Sequence, residues 1–119
     1  MVARWNQKTP VPVFGLPAKA VAISAGGYFT CAVGMDAKVF CWGFNDVGQL
    51  GNGTLSASTT PVLVTGLGGV KSVSVAATHA CALRIDGSVW CWGACYSDCL
   101  GNGITGASNV PVAVKGSLP

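Results

Sequence analysis

The sequence predicts an all-β chain of about two four-stranded antiparallel propeller blades, and three observations carry that prediction. First, Cys31, Cys41, Trp42, Gly51, Asn52 and Pro61 meet Cys81, Cys91, Trp92, Gly101, Asn102 and Pro111, each 50 positions further on. A fixed period of that length marks a repeated supersecondary unit. Second, no segment has a helical hydrophobic period, whereas VAISA and KSVSVAA alternate and VFCW and SVWCW are rich in β-branched and aromatic residues. Third, Gly, Asn, Asp and Pro punctuate these runs at the spacing of short strands and turns.

Within one unit the strand-sized segments are PVLV, SVSVAA, ACALR and SVWCW, followed by a Gly-rich connection. A repeated four-stranded sheet of this size is the signature of a propeller blade. We read residues 1–119 as one propeller segment, with a first repeat at about 10–60, a second at about 61–110 and the start of a third at 111–119. PVPV near one end and PVAV near the other lie in the same phase of the repeat. Each is expected to finish a blade in an adjacent chain by strand donation.

The hairpins can be argued residue by residue. Asp86-Gly87 suits a three-residue loop, a type I turn closed by Gly in the left-handed conformation. Arg84 then lies opposite Ser88, and the register continues Leu83 to Val89, Ala82 to Trp90 and Cys81 to Cys91. Alternation of bonded and non-bonded pairs puts the cysteines at a non-bonded site, where Cα atoms are about 4.5 Å apart. That separation accepts a disulfide. The same count around Met35-Asp36-Ala37 pairs Cys31 with Cys41, although Ala37 stands where Gly would be unstrained. The alternative for these four residues is burial as free thiols.

Composition narrows the function classes. Half of the 119 residues are apolar and only 9% are charged, with four Asp and no Glu. So little charge favours burial against other domains or copies. The net charge of +3 comes from seven scattered Lys and Arg, without the basic stripe of a nucleic-acid binder. No stretch has the roughly 18 uninterrupted apolar residues of a membrane span. The first ten residues have no apolar signal core, so any export signal is expected to be removed or to lie outside this sequence. Six cysteines in so short a chain point to an oxidising compartment, hence secretion or the cell surface.

The run GYFTCAVGMDAKVFCWGFNDVGQLGNG, from Gly27 to Gly53, follows the pattern C-A-L-x-x-D-G-x-V-x-C-W-G-x-N-x-x-G-Q-L-G-x-G from Cys31 onward and is matched in part by the second copy. This pattern resembles the regulator of chromosome condensation repeat, and the paired cysteines resemble its bacterial extracellular branch. The resemblance covers nearly the whole chain. It implies a β-propeller, commonly of seven blades, that binds through the loops on its faces. Its members act in guanine-nucleotide exchange, chromatin contact and β-lactamase inhibition, and nothing here matches an exchange wedge. His79 falls at the family's frequent His position, which is Phe29 in the first copy. The second copy departs from the pattern by replacing Asn45-Asp46-Val47-Gly48-Gln49 with Cys95-Tyr96-Ser97-Asp98-Cys99.

Cys95 and Cys99 could bridge each other, bridge to another chain or bind metal. Zinc normally takes four ligands and His79 is the one histidine, so a disulfide is the default. The loop around them, Ala94, Tyr96, Ser97 and Asp98, is the place to expect a specialised contact. Asp36, Asp46, Asp86, Asp98 and His79 form no paired carboxylates and no triad order, and we predict no catalytic residue, cofactor or metal. Trp42 and Trp92 are expected to pack between blades rather than to stack a ligand. Asn52-Gly53-Thr54 fits a glycosylation acceptor but also recurs as a GNG turn, and it is read as a turn.

These readings converge on a non-catalytic, secreted, disulfide-stapled binding module that assembles with other copies or further blades into a ring or filament. The alternative is a propeller segment that regulates or inhibits a partner enzyme through its loops. An enzyme or redox role comes third.

Overall fold

Residues 12–95 and 106–114 are described by the computed structural model. They form two four-stranded antiparallel meanders and no helix. The first sheet consists of β1 (Ala20–Ala25), β2 (Phe29–Gly34), β3 (Val39–Gly43) and β4 (Ser58–Leu63), in that spatial order. The second consists of β5 (Val70–Val75), β6 (His79–Arg84), β7 (Val89–Cys95) and β8 (Gly106–Ala113). The fold class is therefore as expected, and the core lies between the sheets.

The expected assignment of the fourth strand is corrected. Pro61 and Val62 belong to β4, which pairs with β3 through Phe40 to Leu63 and Cys41 to Val62, so this segment closes the first sheet instead of opening the second. Likewise Pro111 to Ala113 lie in β8 and complete the second sheet within the same chain. They are thus not available for donation to a neighbour. Of PVPV, Pro12 and Val13 lie outside any strand, and Pro10 and Val11 fall outside the described residues. Each fourth strand accommodates its proline at a bulge. Ser58 Oγ accepts from the Thr60 N–H at 3.2 Å and donates to the Thr60 carbonyl at 2.7 Å, a local loop that sets Pro61 at a register shift between Cys41 and Gly43. Ser108 and Val110 repeat it beside Pro111. Pro, which cannot donate to a ladder, is tolerated at such bulges.

Both hairpins have the register the turn count predicts. Arg84 N–H donates to the Ser88 carbonyl at 2.9 Å and Gly34 N–H to the Lys38 carbonyl at 2.9 Å, and the turns close with Gly87 N–H on Arg84 and Ala37 N–H on Gly34. Cys31 faces Cys41 and Cys81 faces Cys91, with Cα separations of 4.1 and 4.0 Å, and both pairs are disulfides. Each closes a loop with a sequence separation of 10 residues, which limits the unfolded chain by about 2 to 3 kcal/mol in the loop-entropy estimate. Cys99 and the side chain of Cys95 lie outside the described residues.

The turns differ at their left-handed position. Gly87 has φ 90° and Ala37 has φ 64°, so the first hairpin puts a methyl group in the left-handed region. It does so while the Ala37 carbonyl accepts the Val70 N–H at 2.9 Å, tying the turn to the second sheet. Ala37→Gly should therefore raise stability by about 0.5 to 1 kcal/mol, and Gly87→Ala should lower it by about 1 to 2 kcal/mol. Urea denaturation of the oxidised protein measures both.

Candidate functional site: the blade interface and its loops

Side chains alternate across a strand, so opposed residues share a face. On the first sheet Phe29, Cys31, Val33, Val39 and Cys41 share a face, and all are buried. They form one cluster with Val70, Ala80, Ala82 and Trp92 of the second sheet and with Leu50, Val64 and Leu67 of the connections. The first blade thus presents its disulfide face, and the second covers it with its tryptophan face. Cross-blade hydrogen bonds add direction: Val75 N–H donates to Ser24 Oγ at 3.0 Å, and Gly53 N–H to the Asn109 carbonyl at 2.8 Å.

Trp92 is fully buried and its Nε1 donates to the Gln49 carbonyl at 2.8 Å. Its ring lies on Gly51, where a Cβ would fall 2.9 Å from the ring atoms and φ is +66°. The packing role expected of Trp92 is what the structure shows; Trp42 is buried too.

The loop carrying Gln49 and Gly51 is built around two buried amides that the sequence reading passed over. Asn45 Nδ2 donates to the carbonyls of Thr54 and Ser56 at 2.9 and 3.0 Å, and its Oδ1 accepts the Leu50 N–H at 2.9 Å. Gln49 Oε1 accepts the Val47 N–H at 3.0 Å, while its Nε2 donates to Asp46 Oδ1 at 3.0 Å. The visible signal was the N-x-x-x-Q-L-G spacing, since long amides in a Gly-rich loop must either be solvated or hold backbone groups. In the second copy their positions are Cys95 and Cys99.

The same faces can be compared between blades. His79, Cys81, Leu83 and Val89 are the second-blade equivalents of Phe29, Cys31, Val33 and Val39, and all four are half-buried where the first-blade residues are buried. Cys91 alone is as buried as its counterpart. Among the described residues, the second blade's disulfide face is less covered than the first blade's.

The other expected site residues fall as follows. Ala94 lies in β7 and is buried, so it offers no contact surface. Tyr96, Ser97, Asp98 and Cys99 lie outside the described residues. Asp36 and Asp86 are turn residues, their carboxylates accepting the N–H groups of Lys38 and Ser88 at 3.2 and 2.9 Å. Asn52 Oδ1 accepts from the Thr54 hydroxyl at 2.8 Å, within a turn as read. Among the described residues no group of three or more His, Cys, Asp or Glu could hold a metal ion, and no helix is long and apolar enough to cross a membrane.

Asp86 is held below the ordinary carboxylate value, chiefly by the Ser88 hydroxyl, which donates at 2.6 Å, then by the Ser88 N–H, with Arg84 adding a smaller effect. A lowered folded value contributes stability above the ordinary carboxylate range that is lost as pH falls through the lowered value. Ser88→Ala should move the Asp86 midpoint upward and flatten that loss, as followed by the carboxyl carbon resonance during an acid titration. Trp92→Ala should cost about 3 to 5 kcal/mol by cavity formation, and Trp92→Phe about 1 to 3 kcal/mol by stranding the Gln49 carbonyl. Urea unfolding curves monitored separately in each blade should show both blades weakened together.

Comparisons with known proteins agree with this architecture. Two family models, both described as Regulator of chromosome condensation (RCC1) repeat, match residues 36–83 in one case and 20–49 with 70–97 in the other. The human E3 ubiquitin-protein ligase HERC2 is 43% identical over 70 residues, which is 58% of this chain and 1% of that protein. The human probable E3 ubiquitin-protein ligase HERC4 is 41% identical over 58 residues, 48% of this chain and 6% of that protein. Among solved structures, Prp20p of Saccharomyces cerevisiae superimposes with a TM-score of 0.73 at 22% identity, over 85% of this chain and 27% of its own. Human WBSCR16 does so with a TM-score of 0.73 at 20% identity, over 83% and 26%. The chain belongs to the regulator of chromosome condensation repeat family, and its two four-stranded sheets are blades of that β-propeller fold.

Proposed function

We propose that this chain is a non-catalytic, protein-binding propeller segment, secreted or at the cell surface, that assembles with further blades of its own kind. One observation carries the reading: His79, Cys81, Leu83 and Val89 are half-buried at the positions where Phe29, Cys31, Val33 and Val39 are covered by a neighbouring blade. The internal interface supplies the template for what covers such a face, namely a tryptophan face on a following blade. The contact is heterologous, and a heterologous contact repeated between copies gives a ring or a filament. Because β8 completes its own sheet, association runs through face packing and not through strand donation. On the far side of the first sheet Val21, Ile23 and Leu63 are exposed, an apolar rim for the partner face. Two disulfides fit an oxidising compartment.

A second reading keeps the binding role but places it in the loops, as a regulator of a partner protein. It is favoured by the second loop, where Cys95 and Cys99 stand at the positions of Asn45 and Gln49, and it includes a Cys95–Cys99 bridge holding Tyr96, Ser97 and Asp98 as a contact loop. Prp20p is a protein whose binding to Gsp1p and histones is described, and a protein-binding role agrees with that likeness of fold. The ligase activity named for the HERC relatives is not assigned to a chain spanning 1% and 6% of their length.

Light scattering at micromolar concentration should give a mass that is a multiple of the 12.0 kDa chain, and Leu83→Asp should return it to the single-chain mass with the fold intact. A well-behaved wild-type monomer overturns the assembly reading and leaves the loop-mediated one.

A further inference from the structure

The two hairpin disulfides are closely matched in local geometry and differ in cover. Each closes a sequence separation of 10 with Cα atoms 4.1 or 4.0 Å apart, and each lies beside a serine of its sheet's first strand, Ser24 opposite Cys31 and Ser74 opposite Cys81. Cys31 and Cys41 are both fully buried in the cluster that includes Trp92. In the second blade Cys91 is buried and Cys81 is only half-buried. Cys81 has a paired strand on either side, with Ser74 of β5 and Cys91 of β7 as its partners, so the surface it shows belongs chiefly to its side chain. Ser74 next to it is exposed, whereas Ser24 is half-buried and its Oγ accepts the Val75 N–H of the following blade. The less covered end of the second disulfide is therefore the Cys81 end.

We propose that the Cys81–Cys91 disulfide is an exchange site for a small thiol of the glutathione class, attacked at Cys81 Sγ. Exchange requires a thiolate to reach one sulfur, so between two pairs of like local geometry access decides which reacts and at which end. The incoming thiolate bonds to Cys81 Sγ as the bond between the two Sγ atoms breaks, and the electron pair leaves on Cys91, which takes a proton from water. A second small thiolate then attacks the outer sulfur of the mixed disulfide, departs as the oxidised small-molecule disulfide and leaves Cys81 as a thiol. Two small thiols are oxidised and one protein disulfide is reduced. Among the described residues the face around Cys81, with His79, Leu83 and Val89, carries no carboxylate to repel the incoming anion, and Asp86 in the turn is engaged by Ser88.

The consequence of exchange rests on the blade-assembly reading. Leu83 and Val89 stand on the two strands that this disulfide joins, so a partner blade seated on them covers Cys81, and a thiol bound to Cys81 takes the partner's place. Assembly and exchange then exclude each other.

The test treats the full oxidised chain with reduced glutathione, quenches with N-ethylmaleimide and maps tryptic peptides by mass spectrometry. Trypsin cuts after Lys38 and Arg84, which separates the two cysteines of each pair. Cys81–Cys91 should be lost at least about tenfold faster than Cys31–Cys41, since exchange at the covered pair waits on local opening. In the variant Cys95→Ser with Cys99→Ser the peptide after Arg84 keeps Cys91 as its one cysteine, and glutathione should be found on Cys81 and not on Cys91. Equal rates for the two pairs, faster loss of Cys31–Cys41, glutathione on Cys91, or loss of exchange in the double variant overturns the proposal. Raising the protein concentration should slow exchange as assembly covers Cys81. A single-chain mass by light scattering at every concentration overturns the assembly reading alone, because the map of reacting sulfurs is decided without it.

Discussion

A four-stranded sheet this poor in charge has two apolar faces, and everything else in the molecule follows from the need to cover them. Trp92 meets that need between the blades. It fills the space over the first blade's disulfide face, and its one polar atom finds the Gln49 carbonyl. Gly51 lets the backbone approach the ring closely enough to leave no gap. The seat itself depends on Asn45, because the loop holds Gln49 and Gly51 in place only while that buried amide satisfies backbone groups on both of its sides. A polar brace in a loop and an aromatic side chain in the next blade thus form one device.

The duplication makes the molecule its own comparison. Positions that agree between the copies, the cysteines, the Trp-Gly steps and the Gly-Asn-Gly turns, are the ones that set register and close packing. Positions that differ include strand residues such as Phe29 and His79, and loop residues, where the second copy has two cysteines in place of the organising amides.

Much of the fold was legible because it is local. Asp86-Gly87 sets a turn, the turn sets the register, and the register brings Cys81 and Cys91 together, and each step spans only a few residues. Ala37 in the left-handed region was legible for the same reason. The partner of the fourth strand was not. PVLV lies closer in sequence to β5 than to β3, and the short-connection rule favours the nearer neighbour. What reverses the choice is the long loop from Phe44 to Ala57, folded on Asn45 so that it returns the chain to β3. A buried asparagine and a solvated one look alike in a sequence. The aromatic pair was illegible on similar grounds, since Tyr28 and Phe44 meet only once β1–β2 and β3–β4 bring their loops to the same end of the blade.

We propose that the second blade's disulfide face, less covered than the first's, is closed by a partner blade. The most direct measurement is the accessibility of individual methyl groups to a water-soluble paramagnetic agent, followed by NMR as protein concentration rises. With assembly through this face, Leu83 and Val89 methyls become protected with concentration while those of Val33 and Val39, already covered, stay unchanged. Leu83 and Val89 methyls that remain equally accessible at every concentration would contradict it.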